Sequence, residues 1–427
     1  MHPVSRRLGK LSGKNNSRDW WRVLGDGPEI QTIRVPVKFK DLSDGEFKHR
    51  LEDRPILDPH LVIEYLFNKA KVAIPREEVR RYWNHHSHFG EKWAQSCDNF
   101  DRIPLGIFGD NARVTTQYGK VVQLIGIFMN LVLWRPGSVR LSRFLLFSIG
   151  DHELWGYHTL QTVYRRLTWS LNALWEGRHP EAGAWGDPLG PNLQKKAGKW
   201  ITHDALLFAT TEVRGDWSWL KKIFRFERTS WTGIQVCHHC RALSSGEWKD
   251  LYWNLEPSSN WYDNMFDLDD WCEERLPAQG ICPLISLRNF HPTVIRWCLM
   301  HVFHLGLLYD ANGSSLNLLL SCGFWGGPAE YSRSLLLARA YQDFKQWCRV
   351  NRIQCSQPEF KESMIYKKNG DVLLTLKAFN GRCVMEWLSE RVYEAHQNPQ
   401  YSAFDPARFC VIAGTMILSS IVFGNAD

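Results

Sequence analysis

The chain has 427 residues, enough for a sizeable core and for roughly two to three domains of about 100–200 residues each. Hydrophobic residues at 44% and charged residues at 23% exclude a fibrous or wholly disordered chain. The net charge of +7 is compatible with a polyanionic partner, and 11 Cys without a secretory leader pattern predict a reducing compartment, where paired Cys favour metal over disulfide bonds.

Residues 1–57 read as a basic arm and lead-in. From Met1 to Arg22 there are six Lys/Arg (Arg6, Arg7, Lys10, Lys14, Arg18 and Arg22) against one acid, Asp19, among Gly, Ser and Asn, the composition of a solvated, disordered tail. Residues 58–101 carry helical periodicity in "PHLVIEYLFNKAKVA" and "REEVRRYWNHHSHFGEKWAQ". His85, His86 and His88 crowd together there, and without a second ligand group nearby they read as exposed helix-end histidines.

Over 102–217 the texture becomes that of a sheet. "RIPLGIFGD" (102–110), "KVVQLIGIFMNLVLW" (120–134) and "RFLLFSIG" (143–150) predict three strands joined through "NARVTTQYG" and "RPGSVRLS". Leu160, Val163, Leu167, Leu171 and Leu174 recur at three and four, predicting an amphipathic helix over 159–177. "HDALLFATTEVRGDW" (203–217) returns to strand character. The order strand, strand, strand, helix, strand predicts an α/β mixed sheet whose first three strands are antiparallel and whose fourth runs parallel to the first.

Both the first and the fourth strand end on Gly-Asp, at Asp110 and Asp216. In sheets with parallel strands, ligand sites collect at strand carboxyl ends, and Mg²⁺ is held by one or two carboxylates plus substrate phosphates. A turn-forming Asp after Gly is the plainer reading of either one alone. Two of them in this order favour a cation site.

Residues 218–375 read as an insertion with a zinc site. Cys237 and Cys240 in "VCHHCRA" have the C-x2-C spacing that places two thiolates on one ion, and Cys298 with His301 in "RWCLMHVFHLG" would complete a tetrahedral Zn²⁺ site. His238 and His239 compete as ligands, and a Cys or His on an apolar helix is also a good core residue. Residues 376–427 hold a helix and an apolar tail. "FCVIAGTMILSSIVFG" (409–424) is shorter than the roughly 20 residues of a spanning helix, so a buried element is expected and no membrane.

Taken together, "IFGDNARV", "TTEVRGDWSWL", "CHHC" and "HPTVIRWCLMHVFHLG" resemble the transposases of cut-and-paste DNA elements with a ribonuclease H-like DDE/D core, of the CACTA and hAT kind, as found in transposon-derived open reading frames of algal protists. The resemblance covers roughly 102–395. It implies a ribonuclease H-like fold interrupted by the Cys/His insertion, Asp110 and Asp216 as the first two catalytic acids, Mg²⁺ or Mn²⁺, a DNA substrate, a nuclear location and room for self-association.

The third acid departs from that pattern. In "LKAFNGRCVMEWLSERVYEA" the matching position holds Asn380, and with Val384, Leu388 and Val392 as the buried stripe, Glu386 points toward solvent. Glu386 and Glu390 remain as weak substitutes. An uncharged Asn would hold a second metal poorly, so the expectation is a DNA-binding protein whose strand cleavage and transfer have been weakened or lost. The alternative is a zinc-stabilised interaction protein, or a membrane-anchored one, with no nucleic-acid role.

Overall fold

Ile103, Leu105 and Ile107 alternate with Pro104, Gly106 and Phe108, and burial of the first three on one face is what makes this segment the centre of a sheet. A computed structural model describes residues 27–424 apart from 42, 96, 98–99, 118–119, 137–141, 231–232, 264 and 278–279. The basic stretch from Met1 to Arg22 lies outside the described residues. By contact density the chain divides into two units, Met1–Arg296 and Trp297–Asp427. The boundary therefore falls inside the region expected to be one insertion.

The first unit opens with an antiparallel ribbon, β1 (Gln31–Lys40) and β2 (Phe47–Ile56), where an unstructured lead-in was expected. Period-2 burial of Ile33, Val35 and Val37 orders β1, a signal that the surrounding charges obscure in the sequence. Helix α1 (Pro59–Glu64) runs into a π-turn at Tyr65–Lys69, and α2 (Arg76–His88) follows. The three histidines do sit in the last turn of α2, where they complement the helix dipole. His86 packs between Tyr82 and Trp93, and burial lowers its pKa.

Five strands then make one sheet in the order β5-β4-β3-β6-β7: β3 (Ile103–Gln117), β4 (Lys120–Leu131), β5 (Arg143–Gly150), β6 (Phe208–Gly215) and β7 (Ile295–Trp297). β3–β4 and β4–β5 are antiparallel and β3–β6 is parallel, as the order of elements predicted. One expectation is corrected. The first strand does not stop at Asp110; "NARVTTQ" continues β3 to Gln117, and its pairing with β4 runs on to Gln117–Lys120. Ala112 pairs with Leu124 and Arg113 with Gln123, and this cross-strand pairing outweighs the turn preference of Gly-Asp-Asn.

Helix α3 (Gly156–Glu176) covers the sheet with the predicted stripe, Leu160, Val163, Leu167, Leu171 and Leu174, all nearly or fully buried. Burying each such side chain contributes about 1.5–3 kcal/mol. The helix stops at Gly177, whose φ of 71° is the left-handed cap that glycine tolerates. One of its buried polar contacts is ionic. Arg166 Nε and Nη2 reach the Asp58 carboxylate at 2.9 and 2.7 Å, a bidentate pair on which the start of α1 is anchored. Helix α4 (Trp217–Phe224) leaves β6 directly. The segment from there to 295 joins the same core through Phe226, Phe266, Trp271 and Leu284, so it does not depend on a metal for all of its burial.

The second unit is helical. A π-turn at Met300–Leu307 continues into α5 (Leu308–Ser321), followed by α6 (Arg333–Val350), α7 (Ala378–Gln397) and α8 (Pro406–Gly424). Their core is separate, built on Leu316, Leu337, Phe344, Trp387, Leu388 and Met416. Helix α8 is the apolar tail; it packs on α7 through Phe409, Ala413 and Met416. No helix among the described residues is long and apolar enough to cross a membrane.

Candidate active site

The parallel ladder between β3 and β6 ends at Phe108–Arg214. Two residues beyond that pair on each segment stand Asp110, within β3, and Asp216, just past the end of β6. Beyond this point β6 leaves the sheet for α4 while β3 continues beside β4. That is where chain segments part and a crevice opens in a sheet with parallel strands.

The glycines before the two acids have a packing reason. A Cβ at Gly109 or at Gly215 would fall inside the Trp219 indole, which lies against both backbones. Trp219 is buried in the first turn of α4 and meets Tyr164 of α3 edge-on at 6.4 Å. Thus the repeated Gly-Asp is not a pair of turns: each Gly admits the indole, and each Asp follows it. Asp216 also caps α4, with Oδ1 accepting from the Trp219 backbone N–H at 2.6 Å. Asp110 Oδ1 accepts from the Asn111 N–H at 2.8 Å.

Further down the same strands a polar network crosses the sheet. Arg214 donates from Nη2 to Asn130 Oδ1 at 3.0 Å and pairs through Nε with Glu212 Oε2 at 3.0 Å, and Gly106 leaves room for both acceptors. A third Gly-Asp, Gly150-Asp151, ends β5 at this end of the sheet, and Asp151 Oδ1 takes a 2.7 Å bond from Lys222 Nζ of α4. Sequence reading passed over it, although the dipeptide repeats the other two. Lys222 thus brings a cation of α4 to Asp151.

Cys237 and Cys240 are in contact: the Cys240 thiol donates to Cys237, holding it down to about 6, helped by the His239 and Cys240 backbone N–H groups and by Arg275. Cys240 is pushed well up by the same bond and by burial. Two sulfurs sharing one proton, with a backbone N–H directed at Cys237 at 3.3 Å, fit half of a thiolate metal site. His238 is buried and His239 half-buried; desolvation lowers both, His239 to about 4.

Cys298 and His301 also come together, with Nδ1 at 3.2 Å from Sγ, but they belong to the second unit. Among the described residues no group of three or more His, Cys, Asp or Glu is gathered for a metal ion. The two predicted pairs are each assembled locally.

The third-acid position has another occupation. Asn380 is buried on α7, where Oδ1 accepts from Ser356 Oγ at 3.1 Å and from Cys355 Sγ at 3.5 Å while Nδ2 donates to Gln357 Oε1 at 3.2 Å. Its amide ties the loop after α6 to α7, so both ends of the side chain are used structurally and it is not counted as a cation ligand. Val384, Leu388 and Val392 form the buried stripe as read. Glu386 is half-buried and paired with Arg382 at 3.3 Å instead of pointing freely into solvent. Comparisons with protein-family models, with curated proteins and with solved structures find no match for this chain.

Proposed function

We propose that the chain is a transposase-derived DNA-binding protein whose first unit is ribonuclease H-like and whose metal-dependent strand cleavage is weak or lost. The observation that supports this most is the strand order β5-β4-β3-β6-β7, with β6 parallel to β3 and Asp110 and Asp216 at matching positions where that pair ends. In this reading Asp110 and Asp216 hold a Mg²⁺ or Mn²⁺ ion, and the cation would activate the attacking oxygen and stabilise the leaving oxygen of a phosphodiester. Trp219 and the α4 cap fix where Asp216 sits. Lys221 and Lys222 on α4, with the basic arm at the start of the chain, neutralise phosphates.

In this reading strand cleavage is reduced, because Asn380 holds the loop after α6 and Glu386 pairs with Arg382. DNA binding asks for less than catalysis. A nuclear location follows from the substrate. Zinc enters as a structural ion, with Cys237, Cys240, Cys298 and His301 as the proposed ligands.

The test is a gel-shift titration on duplex DNA across salt, beside a Mg²⁺/Mn²⁺ nicking assay on the natural, Asp110→Ala and Asp216→Asn proteins. Asn is chosen at 216 because it caps a helix about as well as Asp, whereas Ala would cost about 0.5–2 kcal/mol through the cap alone. Binding is expected to fall steeply with salt, with a log–log slope of about −0.9 per phosphate neutralised. Nicking is expected to be weak or absent in all three. Vigorous nicking abolished by Asp110→Ala would place a third acid elsewhere, and absence of affinity at low salt would overturn the DNA reading in favour of a zinc-stabilised interaction protein.

A further inference from the structure

Three cysteines gather in the second unit apart from the predicted acids Asp110 and Asp216 and the predicted zinc ligands. Cys348 lies near the end of α6, Cys355 on the loop that follows, and Cys383 on α7, all against one core. The Cys383 thiol donates to the Cys355 sulfur. Cys355 reaches Asn380 Oδ1 at 3.5 Å, one turn along α7 from Cys383, so the loop and the helix are pinned together at this point. A cavity of about 530 Å³ opens onto it, lined by Phe344, Cys348, Arg349, Ile353, Cys355 and Gln357 among others. Cys355 and Cys348 thus face a space that a small molecule can enter, while Cys383 is buried behind them.

We infer that Cys355 and Cys383 form a peroxide-sensitive modification site, with Cys355 as the attacking thiol and Cys383 as the resolving one. The inference stands independently of the DNA reading. In the first step the Cys355 thiolate attacks one oxygen of a hydroperoxide. An S–O bond forms, the O–O bond breaks, and the departing alkoxide or hydroxide takes up a proton to leave as alcohol or water. In the second, Cys383 sulfur attacks Cys355 sulfur; the S–S bond forms, the S–O bond breaks, and the hydroxyl departs as water with the proton that Cys383 gives up. The hydroperoxide is reduced by two electrons, one from each sulfur.

The surroundings suit those roles. Donation from Cys383 and from the Gln357 backbone N–H pulls the Cys355 thiol below its ordinary value against burial, and Cys355 is the member of the pair that lines the cavity. Cys348 is pushed up to about 11 by burial and by its neighbours Cys355 and Glu386, so it stays a thiol. Arg349 at the cavity wall favours an anion there.

The experiment treats the full chain with hydrogen peroxide, blocks remaining thiols with iodoacetamide, digests it and maps the peptides by mass spectrometry. A Cys355–Cys383 cross-link, lighter by two hydrogens and lost on reduction, is expected, and Cys348→Ala should leave it intact. With dimedone present, Cys383→Ala should accumulate an adduct at Cys355 that the natural chain does not. A cross-link from Cys355 to Cys348, or oxidation of exposed Cys410 with Cys355 untouched, would overturn the inference. If circular dichroism shows that Cys383→Ala is misfolded, the map of the natural chain still decides.

Discussion

The Trp219 indole sets two residues that the chain places more than a hundred positions apart. Gly109→Ala drives a methyl into the ring, and because the blocking group is a buried aromatic held by Tyr164, relaxation is difficult; a loss of about 1–3 kcal/mol is expected. Urea denaturation checks this, and pairing the change with Trp219→Leu should recover part of the loss, as a coupling of about 0.5–3 kcal/mol between touching residues. Additive effects would show that the indole is not what excludes a side chain at 109. His60 offers a second test at this scale. It is fully buried, with Ser170 Oγ accepting its backbone N–H at 3.0 Å and lying 2.7 Å from Nδ1, while Arg166, Lys196 and His179 stand nearby. Burial, then those three groups, hold its pKa well below 6.5. Because the unfolded chain takes up this proton first, stability is greatest above pH 6.5 and falls as pH drops below it. His60 alone should remove about 1 kcal/mol between pH 6.5 and 5.5. The slope of unfolding free energy over that window should flatten in His60→Gln, and an unchanged slope would assign the acid sensitivity to other groups.

Among the elements, β3 and the 217–295 segment carry the lessons. β3 runs past Asp110 because an antiparallel partner of matching length is available in β4, so the acid lies within the strand and not at its end. No local rule reveals that. The 217–295 segment was read as part of an insertion with a zinc site, and Phe226, Phe266 and Trp271 bury themselves against the sheet's cluster. The consequence for zinc is specific. Cys240→Ser should lower metal content from one zinc per chain and lower the melting temperature, but leave the fold in place, since aromatic burial continues to hold the segment. Metal analysis with thermal melting reads both, and an unchanged metal content would remove zinc from the account.

For the whole molecule, what was legible followed from period and order. Alternation at 103–107 and 125–131 and the three-and-four spacing from Leu160 to Leu174 fix strands and helix through local geometry, and strand-strand-strand-helix-strand admits few unknotted mixed sheets. Hence the antiparallel triplet and the parallel β6 could be read in advance, whereas the continuation of β3 past Asp110 could not. The ribbon at 31–56 could not, because its charges mask one buried row. Nor could the role of Asn380, whose partners Ser356 and Gln357 come from a loop with no periodic signal. The spacing of apolar residues along the chain set which segments pair or coil. Folding settled why Gly precedes each Asp, which unit each cysteine belongs to, and that Cys355 meets Cys383. Those facts depend on contacts between residues distant in the chain, and neither propensity nor spacing encodes which distant neighbour arrives.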